Sequence, residues 1–399
     1  MRPTILFGAF DRHNFGDLLF PHITAALLKR NDLIFAGLAE RDLRCFGGHR
    51  VQALAGLAAD WGGRPANIIH VGGELLTCEA WQAAVMLQPP EEVQATIAYF
   101  DRRPEERLEW VHSRLGISAL APYTVPRGLF PRASSIIYNA VGGVNLSELE
   151  PAMRTEVLAN LKTADAVSVR DRQTLAQLEA AGIPASLTPD PAVMVAALFE
   201  EEIRQRARKA DMAQILAAFP QGYIALQFSA DFGDDATLAE IAAQLDRVVA
   251  STGCGVVFFR AGAAPWHDDL DCYRRVAARM HSPHVRLFTS LNLWDICAVV
   301  ARSRVYCGSS LHGRIVAMAF ALPRISLIHP RQINRTTKQA AFAATWDEGG
   351  LHATVALNGI DHGIRHALSA DPEQLQKTAD KLAAQYRHGF ESHIFPHTA

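Results

Sequence analysis

Short apolar runs alternate with longer stretches of helical periodicity along this chain, in two series separated by a charged segment. A short apolar run bounded by turn residues reads as a strand covered on both faces. Parallel strands of that kind need a long crossover, usually a helix. The pattern restricts the chain to layered α/β folds with mostly parallel sheets. In the first series the strand candidates are 4–7, 34–37, 67–71, 135–141, 166–169 and 185–187, and helices are read at 17–30, 151–162 and 172–181. Gly182 and Pro184 close the last of these, because glycine supplies a left-handed cap and proline cannot continue a helix.

The charged segment 200–219 reads as a solvent-facing helix that joins two halves. Beyond it the alternation restarts with strands at 223–228, 255–260, 285–288, 304–307 and 324–328, interleaved with helices and followed by an amphipathic tail helix at 372–387. Two Rossmann-like, doubly wound α/β domains facing a cleft are therefore expected. The boundaries read as an N-terminal domain 1–198, a linker helix 199–220, a C-terminal domain 221–350 and a tail 351–399. The segment 79–131 is less regular and rich in Pro and Trp, and it reads as an insertion or lid.

Composition excludes several function classes. A hydrophobic content of 49% over 399 residues supports two cores and rules out a disordered chain. A net charge of -2 leaves no global basic field for nucleic acid or membrane. The cysteines Cys45, Cys78, Cys254, Cys272, Cys297 and Cys307 are scattered without a C-x-x-C, so neither a disulfide framework nor a zinc or thioredoxin-type site is expected. The first apolar stretch is too short for a signal peptide and no run reaches the length of a membrane span; a cytoplasmic protein without metal is expected.

In open α/β sheets ligands bind outside the carboxyl ends of the strands, so the strand-to-helix turns are where chemistry is sought. The first turn, 8–17, offers Asn14, Gly16 and Asp17, suited equally to helix capping and to polyol contact; it matches neither a P-loop nor G-x-G-x-x-G. The second carries the pair Gly72 and Gly73, which leaves room for a ligand or for tight packing. Arg170 stands at the end of a strand, where five donors face a phosphate or carboxylate, or form a structural ion pair. Asp190 is held between Pro189 and Pro191, which stiffens the turn that aims it. The most informative turn is 306–314, where Ser309, Ser310, Leu311, His312, Gly313 and Arg314 open an apolar helix. Hydroxyls, backbone N–H groups and an imidazole meet there at a helix N-terminus, an anion site with an acid/base group beside it.

The order of these motifs resembles the polysaccharide pyruvyl transferase family: N-x-G-D, the Gly-Gly turns, S-V-R-D, the D-P pair and S-L-H-G before an apolar helix, from about Gly8 to Ile328. The resemblance implies a glycosyltransferase-B-like arrangement, with the acceptor on the N-terminal domain and the donor on the C-terminal one. It implies transfer of pyruvate from phosphoenolpyruvate, as co-substrate and with no cofactor, to hydroxyls of a sugar or lipid-linked glycan, as a ketal. Phosphate would leave. Carried over by position, His312 matches the catalytic histidine and Arg170 the arginine that holds the anionic donor. Asn14, Gly16 and Asp17 match the first turn, and Asp190 the D-P turn. Many members carry Arg two positions before the histidine, where this chain has Ser310; Arg314 and Arg260 are the candidates to supply the missing charge.

Two other functions stay open: a nucleotide-sugar glycosyltransferase on the same fold, and a non-catalytic anion- or glycan-binding relative. A dehydrogenase is disfavoured because no dinucleotide fingerprint follows a strand. Trp61, Trp81, Trp110 and Trp266 are candidate sugar-stacking rings.

Overall fold

The computed structural model describes residues 2–30, 32–347 and 354–394. They form two compact units: residues 1–191 with the chain from Gln385 on, and residues 192–384. The first contains strands β1 (Thr4–Phe7), β2 (Leu33–Gly37), β3 (Arg41–Asp42), β4 (Arg50–Ala53), β5 (Ala66–His70), β6 (Ala133–Val141), β7 (Ala166–Val169) and β8 (Ser186–Leu187). Their order across the sheet is β3-β4-β2-β1-β5-β6-β7-β8, and all pairs are parallel except β3–β4.

From β1 the chain winds outward through β2 to β4, then returns to the other side of β1 and winds outward again from β5 to β8. The order reverses between β1 and β5, and at such a switch point the two flanking turns diverge and leave a crevice. The turn after β1 and the Gly-Gly turn after β5 flank it. Every residue of β1 is buried, as expected of a strand paired on both edges and covered on both faces. The helix Phe15–Leu28 follows because Asn14 caps it, its Oδ1 accepting the Gly16 N–H at 3.2 Å.

The second unit has six described parallel strands: β9 (Tyr223–Gln227), β10 (Gly255–Phe258), β11 (Val285–Leu287), β12 (Val305–Gly308), β13 (Arg324–Leu327) and β14 (Thr354–Val355). They lie in the order β11-β10-β9-β12-β13-β14. The same winding recurs, and its switch point falls between β9 and β12. The turn 306–314 opens directly onto it.

Three features differ from the sequence reading. Segment 79–131 contains the helices Ala80–Met86, Pro90–Phe100 and Arg107–Leu115, and it buries Val111, Leu115, Tyr123 and Val125 in the cluster that holds Ile5 and Ile68. It is a packed layer of the first unit rather than a lid; its prolines punctuate helices. The charged segment is two helices, Val195–Arg206 and Ala210–Ala218, inside the second unit. Ile203, Met212 and Ile215 are buried there, an apolar stripe hidden among many charges. Finally, the tail helix runs over Pro372–Ile394, and its last residues belong with the first unit, where the Tyr386 hydroxyl accepts a hydrogen bond from Asn139 Nδ2 at 2.8 Å. The short strands β3, at the sheet edge, and β4 beside it carry too few apolar residues to be seen in the sequence.

Candidate functional site

In the first unit, four strand-to-helix turns come together around Arg170. It stands just beyond β7 with its side chain 2% exposed. Nη2 donates to Glu74 Oε2 at 2.6 Å and Nη1 to Asp190 Oδ2 at 2.9 Å. Burial alone disfavours the guanidinium charge, but Glu74, Asp190 and Asp171 more than offset it, so Arg170 holds its proton above the ordinary arginine range. Glu74 closes the Gly72–Gly73 turn and also accepts the Val144 N–H at 3.1 Å. Gly142 fits between the partners: a Cβ there would lie 2.4 Å from Glu74 Oε2 and 2.7 Å from Arg170 Nη2. Asp171, the last residue of S-V-R-D, caps the next helix through the Thr174 N–H at 2.7 Å. The charge of Arg170 is thus met by two carboxylates of the protein itself. Asp190 is fully buried in that role.

The turn after β1 is also polar and closed in. The Tyr123 hydroxyl donates to Asp11 Oδ1 at 2.9 Å and accepts from Arg12 Nη1, while Asp11 Oδ2 accepts the Leu38 N–H at 2.5 Å. Burial raises the Asp11 pKa against the pull of Arg12 and these hydrogen bonds. Asn14 acts as a cap, and Gly16 is the donor it caps. Asp17 is buried in the first helical turn, and a Cβ on Gly73 would sit 3.2 Å from its Oδ1. Gly72 and Gly73 have φ of 111° and 93°, which a side chain disfavours.

In the second unit, the switch point is organised by Gln227 at the end of β9. Its Oε1 accepts the Ser310 N–H at 2.8 Å, and its Nε2 donates to Asp268 Oδ1 at 2.7 Å. Asp268 Oδ2 in turn accepts the Ala261 N–H at 2.6 Å, which ties down the loop after β10. Burial pushes the Asp268 carboxyl up to about 7, against the hydrogen bonds from Ala261 and Gln227. Ser309 Oγ accepts the Ser229 N–H at 3.1 Å. Ser310 is the N-cap of the helix Leu311–Ala319, its Oγ accepting from the Gly313 N–H at 3.2 Å. Gly313 is required because a Cβ there would meet the Tyr306 ring at 2.5 Å. His312 lies in the first turn of this helix with 8% exposure, and Leu311 is core.

The two arginines considered for the gap at Ser310 differ sharply. Arg314 is fully buried, ion-paired with Asp347 and within 3.2 Å of Ser326 Oγ, and Arg324 shares the same carboxylate at 2.5 Å. Its charge serves the interior of the unit. Arg260, just past the end of β10, is half-buried. Its Nε is enclosed without a hydrogen-bond partner, and no ion pair to it is found among the described residues. Of the four tryptophans, Trp61 is core, Trp81 and Trp110 pack on Phe100, and Trp266 is 44% exposed.

Glu74, Gln227 and Asp268 organise these turns and were not singled out from the sequence. Glu74 directly follows the Gly pair and Gln227 is the one polar residue ending an apolar strand, signals that mark both positions. Asp268 had none, since its partners lie in other turns. Among the described residues no group of His, Cys, Asp and Glu is arranged to hold a metal, and no helix is long and apolar enough to cross a membrane.

The family model for polysaccharide pyruvyl transferase matches residues 127–329, just over half of the chain. The chain belongs to this family. It is therefore a transferase, and the match spans Arg170, Asp190, Arg260 and the turn with His312. No curated protein matches it significantly in sequence. Among solved structures, this pyruvyl transferase family member is similar to the UDP-GlcNAc 2-epimerase of Neisseria meningitidis bound to UDP-GlcNAc, with a TM-score of 0.55 and 12% identity over 99% of this chain and 100% of that one. A second likeness is to a putative UDP-N-acetylglucosamine 2-epimerase of Listeria monocytogenes, with a TM-score of 0.55 and 10% identity over 100% of this chain and 98% of that one. At such identities the likeness establishes the fold, a glycosyltransferase-B-type pair of parallel α/β units.

Proposed function

We propose that this transferase moves pyruvate from phosphoenolpyruvate to hydroxyls of a sugar, with the donor held at the switch point of the second unit. The observation that carries the reading is Arg260. It is a half-buried guanidinium with an unpartnered Nε beside β9, and β9 is the strand that separates it from Ser309, Ser310 and His312. A donor with adjacent carboxylate and phosphate groups needs a cation that the protein has not already neutralised. Arg260 meets that need; Arg170 and Arg314 are each held by carboxylates of the chain. The N-terminus of the helix Leu311–Ala319 adds its partial positive charge.

The chemistry needs one proton delivered to the methylene carbon, which leaves an oxocarbenium-like centre at the adjacent carbon. A sugar hydroxyl oxygen bonds to that carbon and loses its proton. The bond from carbon to the phosphate oxygen then breaks, and the oxygen of a second hydroxyl bonds to that carbon and gives its proton to the departing phosphate, which closes the ketal. His312 is the proposed proton carrier, as donor to the carbon or as acceptor from the hydroxyl. The test is phosphate release from phosphoenolpyruvate with a library of glycan acceptors, together with thermal stabilisation by phosphoenolpyruvate. Stabilisation that disappears in Arg260→Gln supports the reading.

Two observations favour a second reading. Ser310 caps its helix where many family members carry Arg, and the structural neighbour from Neisseria meningitidis was solved with UDP-GlcNAc. If nucleotide sugars stabilise the protein and phosphoenolpyruvate does not, the donor is a nucleotide sugar and the pyruvyl reading falls.

A further inference from the structure

Near one end of its sheet the first unit contains a cavity of about 440 Å³. Leu38, just past β2, Arg41, which opens β3, and Ala55, just past β4, line it from the sheet. Gln88, two residues past the helix Ala80–Met86, and Arg114 and Leu115, which end the helix Arg107–Leu115, line it from the segment 79–131. Neither Arg170 nor Glu74 nor Asp190 forms part of its walls. The carboxyl ends of parallel strands are where such sheets take ligands, and pockets for small molecules are on the order of 300–1,000 Å³.

The cavity has donors that the protein does not use. Gln88 is 7% exposed, and its Oε1 accepts from the Thr96 hydroxyl at 2.9 Å. Its Nε2 carries two N–H groups and meets no acceptor among the described residues. That nitrogen is not an enclosed atom, so the little surface it has opens into the cavity. A buried donor without a protein acceptor is costly unless a ligand or water supplies one. Arg41 is anchored beside it, Nη2 donating to the Leu87 carbonyl at 2.6 Å, while Nε and Nη1 meet no acceptor among the described residues. Arg114 approaches only the Trp110 ring, at 6.0 Å, and among the described residues neither arginine has an ion-pair partner. Glu40, the one carboxylate in the walls, is paired with Arg50 at 3.2 Å. The remaining walls are largely apolar, with Leu38, Ala84 and Leu115 buried.

We propose that this cavity binds a small organic anion, a carboxylate or phosphate carried on an apolar body. One oxygen of the anion accepts from Gln88 Nε2 and another from Arg41, whose guanidinium offers the paired donors that oxyanions favour. Arg114 adds a second positive charge, and the carbon body lies against Leu38, Ala84 and Leu115. A neutral ligand leaves both cations unanswered, and a cationic one is repelled. The inference goes beyond the pyruvyl transferase reading and does not rest on it, because the cavity belongs to the first unit and the proposed donor site to the second. It also gives the segment 79–131 a role, since Gln88, Arg114 and Leu115 all come from it.

Ligand-observed saturation-transfer NMR on the whole protein tests it, with benzoate, phenyl phosphate and the neutral benzamide as probes. At least one of the two anions is expected to bind, and the stronger identifies the headgroup; benzamide is expected to bind roughly tenfold more weakly or not at all. Arg41→Gln and Gln88→Leu are each expected to weaken the anion about fivefold or more. Ala55→Leu fills the cavity while leaving every donor in place, and it is expected to abolish binding. It keeps the test sound if Gln88→Leu fails to fold. Arg260→Gln, in the second unit, is expected to bind the probe as wild type does. Equal binding in wild type, Arg41→Gln and Ala55→Leu overturns the proposal. So does benzamide binding as tightly as the anions, or the lack of transfer from both anions. Binding lost in Arg260→Gln but kept in Arg41→Gln assigns the anion to the second unit and overturns it as well. Whether phosphoenolpyruvate acts as donor does not enter this readout, so the two readings fail separately.

Discussion

Arg170 and Glu74, 96 positions apart in the chain, are joined by a 2.6 Å hydrogen bond between Nη2 and Oε2, and Asp190 completes the pair from the other side. The bond ties the turn after β7 to the turn after β5. Replacing Arg170 by Gln strands the fully buried Asp190 carboxylate and the Glu74 carboxylate without their cation. A loss of about 3–5 kcal/mol is expected. Urea unfolding of wild type and variant measures it; a loss below about 1 kcal/mol would show that the network contributes little to the fold.

Gly142 tests the same network from the backbone. A methyl group at this position enters space held by Glu74 Oε2 and Arg170 Nη2. Gly142→Ala is expected to lower stability by about 1–3 kcal/mol, the usual cost of overpacking. Gly56→Ala, where nothing lies within 4 Å of the added carbon, serves as the control. Equal melting temperatures for the two variants would contradict the geometry.

Ser310 is a helix cap here, so Ser310→Ala should cost about 1 kcal/mol through the lost bond to the Gly313 N–H. Ser310→Thr, which retains the hydroxyl, should recover most of it. If thermal unfolding finds the Ala variant as stable as wild type, the capping role is discarded.

His312→Ala should reduce transfer by about a hundred- to ten-thousand-fold in kcat while the protein stays folded. Turnover within about threefold of wild type would remove His312 from the chemistry.

Asp268 makes stability depend on pH in an unusual direction for a carboxylate. Burial raises its folded pKa from 3.8 to about 7, so the folded state binds more protons than the unfolded state between those values. Its contribution is complete below about pH 4 and is lost as pH rises through about 7. The unfolding free energy of wild type relative to Asp268→Asn is therefore expected to fall between pH 4 and 7. A flat difference would mean that Asp268 titrates normally, and a rising one that folding lowers its pKa.

Much of the fold was legible because parallel α/β layers write themselves into sequence as buried runs between helices. β1, β7, β9 and β10 were read to within two residues at each end. The strands β3 and β4 and the helical packing of 79–131 were not, because these two strands are short and largely exposed and the packing of Tyr123 depends on Asp11 and Arg12 from a distant turn. Among site residues, the turns were found by their position after strands. Which arginine is free of internal carboxylates was invisible. Arg170, Arg260 and Arg314 look alike in sequence, and only folding brings Glu74, Asp190 and Asp347 to two of them.

The sequence by itself determined the layered architecture, its division into two series and the strand-to-helix turns between them, since hydrophobic periodicity and Gly or Pro punctuation act locally. Tertiary structure decided what each polar residue in those turns does. A guanidinium or carboxylate takes its role from the charges and hydrogen-bonding groups within a few ångströms, and those arrive from strands and helices far away in the chain. The same chemical group thus becomes a structural ion pair at Arg170, an interior tie at Arg314 and a half-buried donor without an ion-pair partner among the described residues at Arg260.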